Sequence, residues 1–336
     1  MDLILLVSAL VFAAIVITVR LYAKEKRTAT KKIKPLEAKR SPKNPILKPR
    51  QDNNWDSEGS FNPAAVSIDG ETNLLYRAVG GDGVSRIGHA STKNGVEINE
   101  RSAFPVSEPS AGFDLPSDEA IKGPKNYNPA FYTSGGSWGG CEDPRAVKIN
   151  NRIYMTYVAF GGWNSVRIAL TSISVGDFKK RLWNWRKPIF ISPPGQVNKN
   201  WVLFPEKIKG KYAILHSVAP KILVDYVDSL GHFPKDFYIN SSGQHGGSGY
   251  QDITREKHWD NRVRGAGAPP LKTDLGWLLL YHAIDKKDPG KYKVGAMILD
   301  LKDPTKILYR APAPILTPKM HYENDGKPGV VYACGA

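Results

Sequence analysis

Four stretches of this chain read alike. NPAAVSIDGETNLLYRAVG, EDPRAVKINNRIYMTYVAF, FPEKIKGKYAILHSVA and APPLKTDLGWLLLYHAI each run from a proline through a strand-like segment and a tight turn into an apolar strand that ends on a polar residue. A fifth copy opens at KPGVVYACGA. With the second strands aligned on that ending, Arg77, Tyr157, His216 and His282 become equivalent, spaced 80, 59 and 66 residues apart. The rest consists of short β-patterned runs broken by Gly, Pro, Asn and Asp, with hardly any helical period beyond two turns. An all-β chain with several strands per repeat is expected to form a β-propeller, and five blades fill residues 60–336. Equivalent strands of a propeller gather their ends around one channel, so residues distant in sequence converge there. The alternative for Arg77 and His282 is that they end edge strands in solvent.

The N-terminus differs in kind. LILLVSALVFAAIVITV, Leu3 to Val19, is uncharged over 17 residues, the lower limit for a membrane-spanning helix. Asp2 precedes it and RLYAKEKRTATKKIK follows it, the reverse of a cleaved secretory signal. Lys and Arg stay on the cytoplasmic side, so residues 1–22 are expected to be a transmembrane anchor with the remainder in the cytoplasm. Residues 23–59, rich in Lys, Pro, Asn and Ser, read as a basic juxtamembrane linker.

The formal charge is +15, and residues 1–50 supply +9 of it, twelve Lys and Arg against Asp2, Glu25 and Glu37. The basicity therefore belongs mostly to the membrane-proximal segment, where it is either a solvated tail or a lipid-facing one. The folded part carries no concentrated basic stripe, so no nucleic-acid partner is expected. Cys141 and Cys334 stand far apart, with no CxxC or His pairing, which suggests neither a disulfide framework nor a metal site.

The sharpest local signal is GGCEDPR. It places Glu142 and Asp143 at the start of the second repeat's inner strand, with Pro144 fixing φ and giving up a donor. Gly139 and Gly140 permit close backbone approach there. Acids on a rigid strand at a channel mouth are positioned for chemistry; the alternative is an ion pair from Asp143 to Arg145 or Arg167 that only stitches blades together.

GCEDPRAVKINNRIYMTYVAF, VLFPEKIKGKYAILHS, RGAGAPPLKTDLGWLLLYHAI, KYKVGAMILDLKDPTKILYRAPAPILTP and YENDGKPGVVYACGA together resemble glycoside hydrolase family 130, the β-mannoside phosphorylases, from about Phe61 to the last residue. The resemblance implies a five-bladed β-propeller that cleaves β-mannosidic links with inorganic phosphate as nucleophile and co-substrate, inverting to α-mannose 1-phosphate, without cofactor or metal. It makes Asp143 the general acid, its proton passing through a sugar hydroxyl to the glycosidic oxygen. Arg77, Arg167, Arg264 and His282 are implied around phosphate. Asn62, Glu142, Arg145, Tyr281, Glu323 and Asp325 are implied around sugar. Trp138, Trp163 and Tyr281 offer flat faces for stacking on sugar.

Phosphate arrives already anionic and needs no base, whereas inverting hydrolysis needs two carboxyl groups about 6.5 to 9.5 Å apart. One prominent acid among strand-ending basic residues therefore favours phosphorolysis. A hydrolase of the same fold stays open, because Glu206, Glu323 or Asp325 could supply a second carboxylate. So does a non-catalytic propeller that binds glycan or protein. The family pattern continues beyond VVYACGA, so the last blade is expected to be incomplete. Linkage is set by loops: β-1,2-oligomannoside is slightly favoured over β-1,4-mannosyl-N-acetylglucosamine or β-1,4-mannosylglucose, and the insertion-like stretch 224–261 is expected to shape the acceptor end.

Overall fold

The structure, a computed structural model, describes residues 38–234, 236–239, 250–251, 255–324 and 329–336. The expected anchor over 1–22 and the first part of the expected linker, 23–37, lie outside the described residues, as does Asp325. Among the described residues no helix is long and apolar enough to cross a membrane.

The described chain is β-structure in four successive antiparallel units. The first holds β1 (Gly59–Ile68), β2 (Glu71–Val79), β3 (Val84–Thr92) and β4 (Glu100–Arg101), and the second β5 (Gly139–Ile149), β6 (Arg152–Phe160), β7 (Val166–Ser174) and β8 (Ile189–Phe190). The third holds β9 (Val202–Leu203), β10 (Tyr212–Ser217) and β11 (Leu223–Val227). The fourth holds β12 (Tyr250–Gln251), β13 (Arg262–Ala266), β14 (Leu271–Thr273), β15 (Gly276–Asp285), β16 (Asp288–Leu299) and β17 (Ile307–Arg310). A five-residue helix, α1 (Val175–Lys179), follows β7, capped by the Ser174 hydroxyl. Units one and two join through a short parallel pairing, Val84 to Gly139 and Ser85 to Gly140.

Local sequence sets these hairpins. Asp69–Gly70 between β1 and β2 has φ of 50° and 79°, and Lys209–Gly210 has 53° and 79°; two successive left-handed residues make the primed turns whose twist suits adjoining strands. Strand β6 is apolar apart from Arg152 at its start and Thr156, because both of its faces are covered. Ile153, Met155, Tyr157 and Ala159 join a cluster with β1 to β3, and the alternate residues Tyr154, Val158 and Phe160 join one with Leu203 and Ile214 of the third unit. A third cluster unites Leu215 of β10 with Leu279 and Met297 of β15 and β16. Sheets stacked face to face in this way form a propeller-like core.

Arg77, Tyr157, His216 and His282 do lie on corresponding strands, β2, β6, β10 and β15, which pair with β1, β5, β9 and β13 respectively. All four are buried rather than ending edges in solvent. Residues 329–336 of the expected fifth copy make a bridge from Val330 to Tyr292, and Gly335 packs against the backbone of Ala64 and Ala65; they include no named strand.

A second internal repeat was not apparent in the sequence. In unit one the fully buried Asp56 carboxylate takes Arg50 at 2.8 Å, Arg101 at 2.7 Å and the Tyr76 hydroxyl at 3.2 Å. In unit four Asp260, equally buried, takes Arg255 at 2.7 Å, Arg310 at 2.8 Å and the Tyr281 hydroxyl at 2.7 Å. The copies agree in detail: Trp55 stacks on Tyr76 as Trp259 does on Tyr281, and Gly88 and Gly295 leave the space each tyrosine ring fills. Each carboxylate ties the loop before β1 or β13 to the strand paired with it, β2 or β15, and to the outermost strand, β4 or β17.

Residues 38–59 differ from the expected linker. Trp55 and Asp56 are buried, Ile46 and Leu47 pack against the cluster that holds Trp55, Leu74 and Tyr76, and Arg40 forms a two-pronged ion pair with Glu323 at 2.6 and 2.9 Å. Proline- and lysine-rich composition suggested free chain; a few apolar and ion-pairing side chains suffice to seat it.

Candidate active site

A cavity of about 1080 Å³ opens where the inner strands of the four units meet. Each unit turns one left-handed residue into it: Asn62 (φ 50°), Asp143 (49°), Asn200 (67°) and Gly265 (125°). Asn and Asp tolerate this conformation better than other side-chain-bearing residues. In β1, β5 and β13 the residue sits at a break in register, between Phe61 and Ala64, Glu142 and Arg145, and Val263 and Gly265. The EDPR segment is therefore a β-bulge, in which Pro144 withholds a donor where the ladder is already interrupted. FNPA in β1 is its counterpart, and the two bulges touch, the Asn62 amide donating to Asp143 Oδ1 at 2.7 Å. Asn200 bridges onward, its amide donating to the Arg264 carbonyl at 2.7 Å. At Gly265 a Cβ would stand 2.8 Å from Asn200, so the approach requires glycine.

Asp143 is the carboxylate at the cavity floor. Burial alone would raise its pKa, but Arg77, Lys199 and Arg145, with the Asn62 hydrogen bond, hold it below the usual range. Its side-chain ion pair is with Arg77, at 3.3 Å; neither expected alternative partner provides one, because Arg145 reaches only the Asp143 carbonyl, at 2.8 Å, and Arg167 donates to the Ser192 carbonyl.

Arg77, at the edge of the lining, and Glu142 behind it brace the floor. Arg77, 2% exposed, donates to Ser85, Ser137, the Ser134 carbonyl and Glu142 as well as Asp143. Glu142 is wholly buried and also takes Lys199 at 3.1 Å and the Ser134 hydroxyl at 2.8 Å. Lys199 and Arg264 add cationic groups to the lining. Arg145 is a strut, donating to the Gly267 carbonyl, Asn200 and the Tyr332 hydroxyl.

Of the residues singled out in the sequence, Asn62, Arg77, Asp143, Arg264 and Glu323 line the cavity, with Trp163 on its rim. Glu142 and Arg145 support it from below. His282 lies behind Tyr332, its ring stacked at 4.1 Å and Nε2 accepting from the Ala333 N–H at 2.8 Å, which leaves the proton on an unpartnered Nδ1. Burial, then Arg145, pushes His282 down to about 3, so it is neutral. Arg167 stacks on Phe190 and Tyr238, outside the lining, and Tyr281 belongs to the Asp260 cluster. Trp138 donates to the Asp82 carbonyl and is also outside. Glu323 is committed to Arg40 and to the N–H groups of Lys319 and Met320, which outweigh burial and keep it below the usual carboxylate range. Glu206 pairs with Lys272 on the exterior. None of the described residues of 224–261 lines the cavity.

Lys199, Asn200, Tyr292 and Tyr332 are site residues the sequence reading missed. Among the described residues no cluster of three or more His, Cys, Asp or Glu could hold a metal, and both cysteines are buried and free.

A family model for glycoside hydrolase family 130, described as beta-1,4-mannooligosaccharide phosphorylase, matches residues 37–336. The chain is 34% identical to a 1,2-beta-oligomannan phosphorylase of a Thermoanaerobacter species, over 89% of each chain. It is 32% identical to a beta-1,2-mannobiose phosphorylase of the same organism, over 87% of each. Among solved structures it is similar to the beta-1,2-mannobiose phosphorylase of Listeria innocua in complex with beta-1,2-mannobiose (TM-score 0.60, 23% identity, 88% of this chain and 89% of that one). A glycosyl hydrolase from Bacteroides ovatus gives a TM-score of 0.62 at 22% identity, covering 87% and 85%.

Proposed function

The chain belongs to glycoside hydrolase family 130, and from that premise we propose the reaction its cavity performs: phosphorolysis of a β-mannosidic linkage, giving mannose 1-phosphate, with Asp143 as the general acid. The observation that carries the reading is one aimed carboxylate, Asp143, among cationic groups that line the same cavity. Lys199 and Arg264 serve as the phosphate contacts, and Asn62 and Asn200 offer amides to sugar hydroxyls. Arg77 acts from below by fixing Glu142 and Asp143.

Proton balance fits this arrangement. An acid held below the usual range is ionised in the empty site. An anion beside Lys199 and Arg264 cancels part of the positive field and so raises Asp143. Monohydrogen phosphate loses one proton on becoming a sugar phosphate dianion, and the leaving sugar gains one. Asp143 can therefore take its proton from the incoming nucleophile and hand it to the leaving oxygen, directly or through a sugar hydroxyl. Phosphate attacks from the opposite face, which inverts the anomeric centre and gives the α-phosphate.

Hydrolysis would need a second carboxylate free to activate water. Glu142 and Glu323 are both engaged in ion pairs, and Glu58 stands on the exposed rim. The slight preference for β-1,2 linkage from the sequence stays part of the proposal, as do the five-blade count, the membrane anchor over 1–22 and a cytoplasmic catalytic unit, where phosphate is abundant. The test incubates the protein with β-1,2-mannobiose and with β-1,4-mannosyl-N-acetylglucosamine, each with and without phosphate. Mannose 1-phosphate formed only with phosphate is the expected result; free mannose in both conditions would make the enzyme a hydrolase, and no product would leave a binding protein.

A further inference from the structure

Lys199 enters the cavity from the stretch just before β9, on a four-carbon stem that loses much rotamer freedom wherever it is fixed. Two kinds of neighbour hold its ammonium. Nζ lies 3.1 Å from Glu142 Oε2 and 3.0 Å from the Ser134 hydroxyl. It also stands 5.2 Å from the centroid of the Trp163 ring and 5.4 Å from that of Phe160. Both distances fall within the roughly 6 Å over which an aromatic face attracts a cation. Phe160 is buried, whereas Trp163 is 47% exposed at the cavity rim.

The loop that carries Trp163 fixes its place. Residues 161–165 close the hairpin of β6 and β7, the Gly161 N–H donating to the Ser165 carbonyl at 2.8 Å and the Ser165 N–H to the Gly162 carbonyl at 2.9 Å. Gly162 takes the left-handed φ of 81° that so tight a loop requires. The indole meets Phe160 edge to face, with centroids 5.4 Å apart. The Asn198 N–H donates to the Val166 carbonyl at 2.9 Å, which sets Lys199 beside this hairpin.

An aromatic partner suits a lysine that must still bind an anion. A further carboxylate would cancel the ammonium's charge, and Glu142 is already shared with Arg77. A ring face holds the cation through its quadrupole and adds no net charge. An ammonium has three donors; Glu142 and Ser134 take two, which leaves one for the nucleophile.

We infer that Trp163 is a positioning residue for the nucleophile, its ring holding the Lys199 ammonium where the remaining donor meets phosphate. The inference rests on the reading of Lys199 as a phosphate contact in the proposed phosphorolysis. It gives the indole a task other than the sugar stacking expected from the sequence.

The experiment titrates inorganic phosphate alone by calorimetry and follows mannose 1-phosphate formation from β-1,2-mannobiose and from β-1,4-mannosyl-N-acetylglucosamine. It compares wild type with Trp163→Ala, Trp163→Leu, Trp163→Phe, Lys199→Ala and the double variant Trp163→Ala/Lys199→Ala. Trp163→Ala should weaken phosphate about fivefold, the size of a cation–π contact at a half-exposed ring, with KM for the disaccharide and kcat within about twofold of wild type. Trp163→Phe, which keeps a ring, should stay within about twofold, and Trp163→Leu, apolar without a ring, should resemble the alanine variant. In the Lys199→Ala background the loss of Trp163 should change phosphate affinity by less than about twofold, because the partner it acts through is gone. Unchanged phosphate affinity in Trp163→Ala would overturn the inference, and a raised KM for the disaccharide alone would make the ring a sugar platform. Full retention in Trp163→Leu, or an undiminished effect without Lys199, would overturn it as well. A wild type that binds phosphate with this dependence on Trp163 yet forms no mannose 1-phosphate would overturn phosphorolysis and leave the positioning role standing; one that binds no phosphate would overturn both.

Discussion

Replacing Arg77 by alanine separates a buried support from a phosphate ligand. The sequence placed Arg77 among the phosphate contacts. In the structure it is 2% exposed and its guanidinium already serves five partners, two of them the carboxylates Glu142 and Asp143. Removing it leaves wholly buried Glu142 with Lys199 as its one remaining cationic partner and deprives Asp143 of its side-chain ion pair. Breaking a buried pair from one side costs about 3 to 5 kcal/mol. For a chain of this size that lowers Tm by roughly 10 °C. Arg77 is also the strongest influence lowering Asp143, so its loss raises that carboxyl and moves the alkaline limb of the pH–rate profile upward. Lys199→Ala and Arg264→Ala should instead raise KM for phosphate. Urea unfolding read by tryptophan fluorescence, beside phosphate kinetics, decides the matter. If Arg77→Ala unfolds within about 1 kcal/mol of wild type while KM for phosphate rises steeply, the support role is wrong and Arg77 is a ligand.

The paired Asp56 and Asp260 clusters should behave alike: Asp56→Ala and Asp260→Ala each leave two arginines without their buried carboxylate and should cost about 3 to 5 kcal/mol in urea unfolding, and a large difference between them would break the equivalence. Stability should fall on acidification. His89 and His282 are pushed down to about 4 and 3, chiefly by burial, so the folded state binds fewer protons than the unfolded chain and their contribution, complete above about pH 6.5, is lost as pH falls. From pH 7 to 5 the two forfeit roughly 4 kcal/mol, while Asp114, raised to about 6 by burial, returns about 1, so a urea midpoint unchanged over that range would refute the assignment. Gly140→Ala should cost at least about 2 kcal/mol, because φ is 117° and a Cβ would stand 2.2 Å from the Ser85 carbonyl oxygen; a Tm equal to wild type would contradict the close approach.

Much of the fold was legible because hairpins and alternation are local. The polar endings at Arg77, Tyr157, His216 and His282 fall on corresponding strands, and EDPR marked the bulge that carries the acid. What those endings face was not legible, since it depends on neighbouring units: Arg77 meets two acids, His282 a backbone N–H, and Tyr281 a buried aspartate. Lys199 and Asn200 escaped notice because the third unit lacks the proline that follows Asn62 and Asp143; its proline comes later, at Pro205, so the repeat was read from FPEK rather than from the Lys–Asn before it. The arm at 38–59 was read as linker because composition cannot reveal Arg40 meeting Glu323 across almost the whole chain.

The central claim is that Asp143 delivers the proton to the leaving sugar, and a comparison of leaving groups tests it most directly. Asp143→Asn and wild type are assayed with phosphate on β-mannobiose, whose departing hydroxyl needs protonation, and on 2,4-dinitrophenyl β-mannoside, whose phenolate does not. The account predicts a loss of about 10² to 10⁴ on the disaccharide and little loss on the aryl mannoside. Equal losses on both substrates would contradict it and make Asp143 a binding residue.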